Sequence, residues 1–422
     1  MLGRKTWLSG AAASRSSTSA AAPVLALLPI KLQTLIKKFV DSMEYIGGFQ
    51  VFFCRATRMG CLGLVLAMLV ISTAGAYLLT QLLVLDWRDG AVPRIGTGLP
   101  RAWSAAGTSG GSQIVRLPSG AALHSLEGPA DPRMSFLLVH DIAEHGGAMA
   151  DLGQALFKQC DHEGFSCAVF AVDLPGHGHC GDECGQFTMQ QMVETVQEAS
   201  SWIRNRTREG AVITVGQGLG GEVALHAGAG HEPITATIAN GLWLPSELSL
   251  RPQVALFRGW VGELFSVVMG KQPVCAAAII NFERIFDSVD CIGSGSSSAS
   301  CIWKHDASLY EDALRDPHNQ WFFSVSSLRS LFTYHPPFSA SEHNKPVLVM
   351  AGGQDRSLPL SHVRASFDRL AGKKFLRYTM GAGHQVFRQE REKAVKLIIP
   401  WTNAVLDGTH NTILSEGPNL ML

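Results

Sequence analysis

The chain is short of charge. Charged side chains make up 17% of its 422 residues, below the usual quarter, and 35 basic residues balance 35 acidic ones. Without a net charge no global field concentrates a phosphate backbone or an acidic partner, which excludes the ordinary nucleic-acid binder. Hydrophobic residues reach 46%, which excludes a disordered chain and calls for a sizeable core, membrane contact, or both. Cysteine is scarce too: nine in 422 residues are too dilute for a disulfide scaffold. Cys180 and Cys184 form a C-x3-C pair, but no second pair stands at zinc-ligand spacing. The sequence therefore predicts no metal and no cofactor. A local disulfide stays open if this part of the chain faces an oxidising compartment.

Acidic residues are absent from the first 40 positions, which carry Arg4, Lys5, Arg15, Lys31, Lys37 and Lys38 amid Ala and Ser. Residues 1–58 read as a basic leader, either targeting or disordered. From Met59 to Leu85 there is no charge at all. That run exceeds the roughly 20 apolar residues that cross a hydrocarbon core of about 30 Å, and predicts one transmembrane helix over 59–85. Lys31, Lys37, Lys38, Arg55 and Arg58 precede it, while Arg88, Arg94 and Arg101 follow it. The excess, five against three, leans toward a cytosolic N-terminus with the large domain across the membrane. Asn205-Arg-Thr207 is a glycosylation sequon whose use depends on that topology. Residues 86–111 read as a Gly/Pro/Ser/Ala linker.

Beyond residue 112 short apolar runs recur at 136–140, 167–173, 211–215, 234–240, 346–351 and 375–380. Helical stretches lie between them, as at 148–160 and 188–204. Nearly continuous apolar strands alternating with helices predict a mostly parallel sheet covered on both faces. In such sheets the chemistry sits on loops at the carboxyl ends of strands. Those loops read His140-Asp-Ile-Ala-Glu-His145, Asp173-Leu-Pro-Gly-His-Gly178 and Gly216-Gln-Gly-Leu-Gly-Gly221, the last opening a helix over 222–229. Further on come Gly352-Gly-Gln-Asp-Arg-Ser-Leu-Pro359 and Gly381-Ala-Gly-His384.

In this order the set resembles the α/β-hydrolase fold family, in its monoacylglycerol-lipase-like, serine aminopeptidase S33 group. The resemblance covers roughly 112–405, with a variable cap at about 243–335 and a tail at 406–422. It implies a lipid or acyl-ester-like small-molecule ligand. It also implies a triad in the chain order nucleophile, acid, histidine, with Asp355 and His384 in the last two roles. The nucleophile position is Gly218, which has no side chain to attack with, and Gln217 and Leu219 cannot replace it. The oxyanion donors implied are the backbone N–H groups of Ile142 and Leu219. The family's glycine after the first histidine is Asp141 here, a carboxylate beside the developing oxyanion, where each lost donor costs about 2.7–4 kcal/mol.

The expectation is therefore a membrane-anchored, single-pass hydrolase-fold protein with impaired catalysis. Two alternatives stand beside it: an active serine-type hydrolase of monoacylglycerol-like or other carboxylic esters, with a reassigned nucleophile or a sequence error at 218, and a non-catalytic interaction scaffold. Because relatives carry a β-carbon on this turn, Gly218→Ser is expected to fit without steric cost.

Overall fold

The computed structural model describes most of residues 113–244 and 315–409, with isolated positions between. The leader, the 59–85 run, the linker, most of the cap and nearly all of the tail lie outside the described residues. Among the described residues no helix is long and apolar enough to cross a membrane.

An eight-stranded sheet organises the domain: β1 (Gln113–Arg116), β2 (Ala122–Leu126), β3 (Met134–Val139), β4 (Cys167–Val172), β5 (Ala211–Gln217) and β6 (Ile234–Asn240), completed by β9 (Val347–Gly352) and β10 (Lys374–Thr379). Its order is β1-β2-β4-β3-β5-β6-β9-β10. Strand β2 runs antiparallel to both neighbours, and every other pairing is parallel. A separate two-stranded antiparallel sheet pairs β7 (Pro273–Cys275) with β8 (Phe322–Ser324).

The apolar runs are continuous because both faces of each strand are covered. Leu137 and Val139 of β3 enter the first core cluster, and Met134, Phe136 and Leu138 enter the second. Each such side chain contributes about 1.5–3 kcal/mol by leaving water. Helix α1 (Ala150–His162) and the late helix Arg391–Leu406 supply the second cluster, through Leu152, Leu156, Ile398 and Trp401. Helices α2 (Met189–Arg206) and α3 (Leu219–Gly228) supply the first, through Met192, Val196, Val223 and Ala224.

Element boundaries follow from capping. Thr188 and Gln191 form a capping box at the start of α2. Helix α1 starts two residues later than its periodicity predicts. Residues 146–149 are instead a 3-10 turn, whose Gly147 N–H donates to Nδ1 of His145. Strands β1 and β2 escape the sequence pattern because β1 is mostly exposed at the sheet edge and β2 carries His124 and Ser125.

Two disulfides lie in the described region. Cys160 at the end of α1 bonds Cys167 at the start of β4, and Cys180 bonds Cys184 in the loop after β4. The C-x3-C pair is thus a local cross-link.

Candidate active site

Strand β5 ends in Gly216-Gln-Gly and turns straight into α3. Gly218 takes φ +52° and ψ −119° at that turn, a backbone conformation that L side chains rarely adopt. Its neighbours must also be small. A β-carbon on Gly216 would lie 2.1 Å from the Gly220 carbonyl oxygen, and one on Gly220 would lie 2.3 Å from that of Val139. The glycines let strand and helix backbones close to contact, which aims residue 218 above the carboxyl edge of the sheet.

The other predicted positions converge there. His384, on the loop after β10, is 94% buried, and Asp355, on the loop after β9, lies behind it. Nδ1 of His384 donates to Asp355 Oδ2 at 2.8 Å, and Asp355 Oδ1 accepts from the Leu358 N–H at 2.9 Å. Asn240, at the end of β6, donates through Nδ2 to the His384 carbonyl and fixes that loop.

Asp141 closes the arrangement. Its Oδ1 accepts from the N–H of Ile142 at 2.7 Å and from the N–H of Leu219 at 2.9 Å, the two oxyanion donors expected from the sequence. Its Oδ2 faces Nε2 of His384 at 3.2 Å. One carboxylate therefore holds both donors and the imidazole at once. It also fills the space above the elbow. A β-carbon on Gly218 would lie 2.2 Å from Asp141 Oδ1 and 2.4 Å from Oδ2. The expectation that Gly218→Ser fits without steric cost is corrected: in this chain the volume a serine would need belongs to Asp141.

The loop that delivers Asp141 is held rigidly. His140 is fully buried; Nε2 accepts from the Leu174 N–H at 3.0 Å, so Nδ1 carries the proton given to the Asp141 carbonyl at 2.7 Å. Burial, aided by the neighbouring His177, pushes its pKa down to about 3, so it stays neutral. Ala143 in the same loop has φ +66°, a strain of about 1–3 kcal/mol for a residue with a β-carbon. Gln320 donates its N–H to the Ala143 carbonyl, and buried Glu144 pairs with Arg388 at 2.9 Å.

Electrostatics follow from the contacts. Burial disfavours a charge on His384, but the field of Asp355 and hydrogen bonds to both carboxylates outweigh it, raising its pKa well above the ordinary value. Both ring nitrogens then carry protons. An imidazolium donates; it has no lone pair with which to take a proton from water or a hydroxyl. At this centre position 218 offers no side chain, and the Asp141 carboxylate occupies both backbone donors while it faces the imidazole.

A family-wide sequence model for serine aminopeptidase, S33, matches residues 130–392, well over half of the chain. The chain belongs to the serine aminopeptidase S33 family. Among curated proteins none is significantly similar in sequence. Solved structures agree on the fold. A thermostable carboxyl esterase from Bacillus coagulans, in complex with glycerol, superposes with TM-score 0.57 at 16% identity, over 70% of this chain and 98% of its own. A lipase in its open form gives TM-score 0.52 at 17% identity, over 70% and 98%. At such identities the likeness concerns the α/β-hydrolase fold alone.

Sequence reading placed Gly218, Asp355, His384, Ile142 and Leu219 at one centre, and the structure brings all five together with Asp141. What it missed is how the two family departures fit one another. It also passed over the group formed by His124, Asp173 and His179, since no motif marks a histidine on an edge-side strand.

Proposed function

We propose that this family member is a membrane-anchored hydrolase-fold protein whose own Asp141 carboxylate occupies the reaction centre, so that it does not turn over esters. The observation that carries this reading is the set of three contacts made by Asp141, above a residue with no side chain. Gly218 and Asp141 are complementary: the glycine leaves the volume that the carboxylate fills. That fit supports a matched pair of replacements over a sequence error at 218. Attack by Asp141 itself is disfavoured. A carboxylate leaving the hole to attack an ester carbonyl would give up the donors that fix it, and His384, already protonated, could not activate the water needed afterwards.

What remains is binding. The relatives' names, a carboxyl esterase and a lipase, suggest a lipid or acyl-ester-like small molecule for a site in this position. The uncharged run 59–85 supports a single-pass anchor. The two disulfides and the basic excess ahead of that run together support a domain on the non-cytosolic side.

Two outcomes test the proposal. The wild-type chain is expected to take up no fluorophosphonate probe; robust labelling that vanishes when some other Ser or Cys is changed overturns it. The chain is also expected to stay with membranes through a carbonate wash, and removal of residues 1–100 to release a folded domain. A domain that still sediments after that deletion refutes the anchor.

A further inference from the structure

A second cluster of ligating side chains lies beside the catalytic loops and takes no part in them. His124 comes from β2, Asp173 from the end of β4, and His179 from the loop that follows. One ligand atom of each lies within 4.8 Å of the others. His124 Nε2 is 2.9 Å from Asp173 Oδ1, and His179 Nδ1 is 2.8 Å from Asp173 Oδ2. The carboxylate also accepts from the N–H groups of Gly146 at 2.7 Å and His179 at 2.9 Å. Among the described residues its ion pairs are with these two imidazoles alone, and no lysine or arginine neutralises it.

Three features suit the group to a cation. First, two imidazole nitrogens and a carboxylate form the donor set of a three-ligand zinc site with an open fourth position. Bonds of about 2.0–2.1 Å at tetrahedral angles need ligand atoms roughly 3.3 Å apart. Each imidazole nitrogen now lies within hydrogen-bond distance of an Asp173 oxygen, and one ligand atom of each residue lies within 4.8 Å of the others, so modest side-chain movements bring the three to that spacing. Second, access and rigidity are graded. The side chains of His124 and Asp173 are 5% and 3% exposed, whereas that of His179 is 27% exposed and gives an entry path. His318 stacks on His179 with ring centroids 4.5 Å apart and 24° between planes, which fixes the outer ligand's ring. Third, the backbone is drawn in tightly. A β-carbon on Gly178 would lie 2.4 Å from Asp173 Oδ2, and one on Gly146 would lie 2.8 Å from the His124 ring.

We propose that His124, Asp173 and His179 bind a divalent transition-metal ion, Zn2+ by the nature of its donors, with water in the fourth position. Imidazole ligands disfavour Mg2+ and Ca2+, which take oxygen donors. On binding, His124 Nε2 and His179 Nδ1 present lone pairs to the metal. The protons they now donate to Asp173 leave for solvent or move to the other ring nitrogen, and no redox step is involved. The ion pins β2 to the loop after β4. Through the Gly146 N–H on Asp173, it also braces the segment that delivers Asp141.

The test uses the full chain in detergent micelles, stripped with a chelator and titrated with Co2+ and then Zn2+. One Co2+ per chain should give the visible absorption of a four-coordinate nitrogen/oxygen site, be displaced by Zn2+, and Zn2+ should raise the thermal midpoint. His179→Gln, at a part-exposed position that keeps the fold, should weaken Co2+ binding at least about tenfold. His124→Gln should do the same wherever circular dichroism shows it folded. The proposal is overturned if the wild type takes up no Co2+ beyond what His179→Gln retains, or if Zn2+ leaves the midpoint of the wild type unmoved. Fluorophosphonate reactivity at the elbow is a separate readout, so failure here leaves the reading of the reaction centre standing.

Discussion

Fluorophosphonate labelling is expected from Gly218→Ser/Asp141→Gly and from neither single variant. Gly218→Ser alone puts a β-carbon into the Asp141 carboxylate, at 2.2 Å from Oδ1. It also forces a side chain onto φ +52°. Overpacking of this kind costs about 1–3 kcal/mol and the positive φ roughly 1–2 kcal/mol more, so the single variant should fold less stably and stay unreactive. Asp141→Gly alone frees the N–H groups of Ile142 and Leu219 but supplies no nucleophile. Together the changes install the hydroxyl, empty the hole, and leave His384 with one carboxylate, free to act as a base. Each recovered donor is worth about 10²–10³ in rate, so ester hydrolysis by the pair should exceed that of Gly218→Ser by at least about 10². Stability should be non-additive as well: Asp141→Gly removes the steric share of the serine's cost and not the share due to φ. Labelling of Gly218→Ser equal to that of the double variant would show that Asp141 moves aside and does not guard the site.

The second large effect is expected where the site is tied to the core. Glu144 is 1% exposed and pairs at 2.9 Å with Arg388 on the short helix Val386–Gln389, directly after His384. Burial raises the Glu144 pKa, and the guanidinium works against that rise. Arg388→Met leaves a buried carboxylate without its cation and should cost about 3–5 kcal/mol, enough to unfold a marginal domain. The sign of the pH dependence is fixed. With Arg388 gone, the folded-state pKa of Glu144 climbs further above its unfolded value. The native form then holds a proton that the unfolded form releases. The loss should be small below about pH 4.3 and grow as pH rises, and adding Glu144→Gln should recover part of it. Denaturant melts at several pH values check this; a loss that does not change with pH contradicts the pairing.

The sheet was legible because its inner strands are buried on both faces. Runs such as Met134 to Val139 have no polar side to hide, and glycine-rich turns punctuate them. Edges were less so: β2 mixes Ala122 and Leu123 with His124 and Ser125, and only pairing with β1 and β4 makes it a strand. At the site, positions were legible and their relation was not. Gly218 and Asp141 stand 77 residues apart, and each reads alone as a defect, a missing nucleophile and a repulsive charge. Only the register of β3 beside β5, with Val139 opposite Gly216, brings the carboxylate over the glycine. Charge on His384 was equally hidden, because it depends on a second carboxylate that the family pattern does not include.

That charge offers the most direct test of a self-occupied centre. Nitrogen-15 NMR of the His384 ring, followed through pH 6 to 9 in the wild type and in Asp141→Asn, reads it residue by residue. A pKa raised in the folded state means the ring stays doubly protonated through its ordinary value of 6.5, and the stability this contributes is lost only as pH rises toward the folded value. Asp141→Asn removes one of the two carboxylates, so its His384 should titrate at distinctly lower pH. If His384 is neutral at pH 7.5 in the wild type and titrates identically in Asp141→Asn, the Asp141 carboxylate does not hold the reaction centre and the account fails.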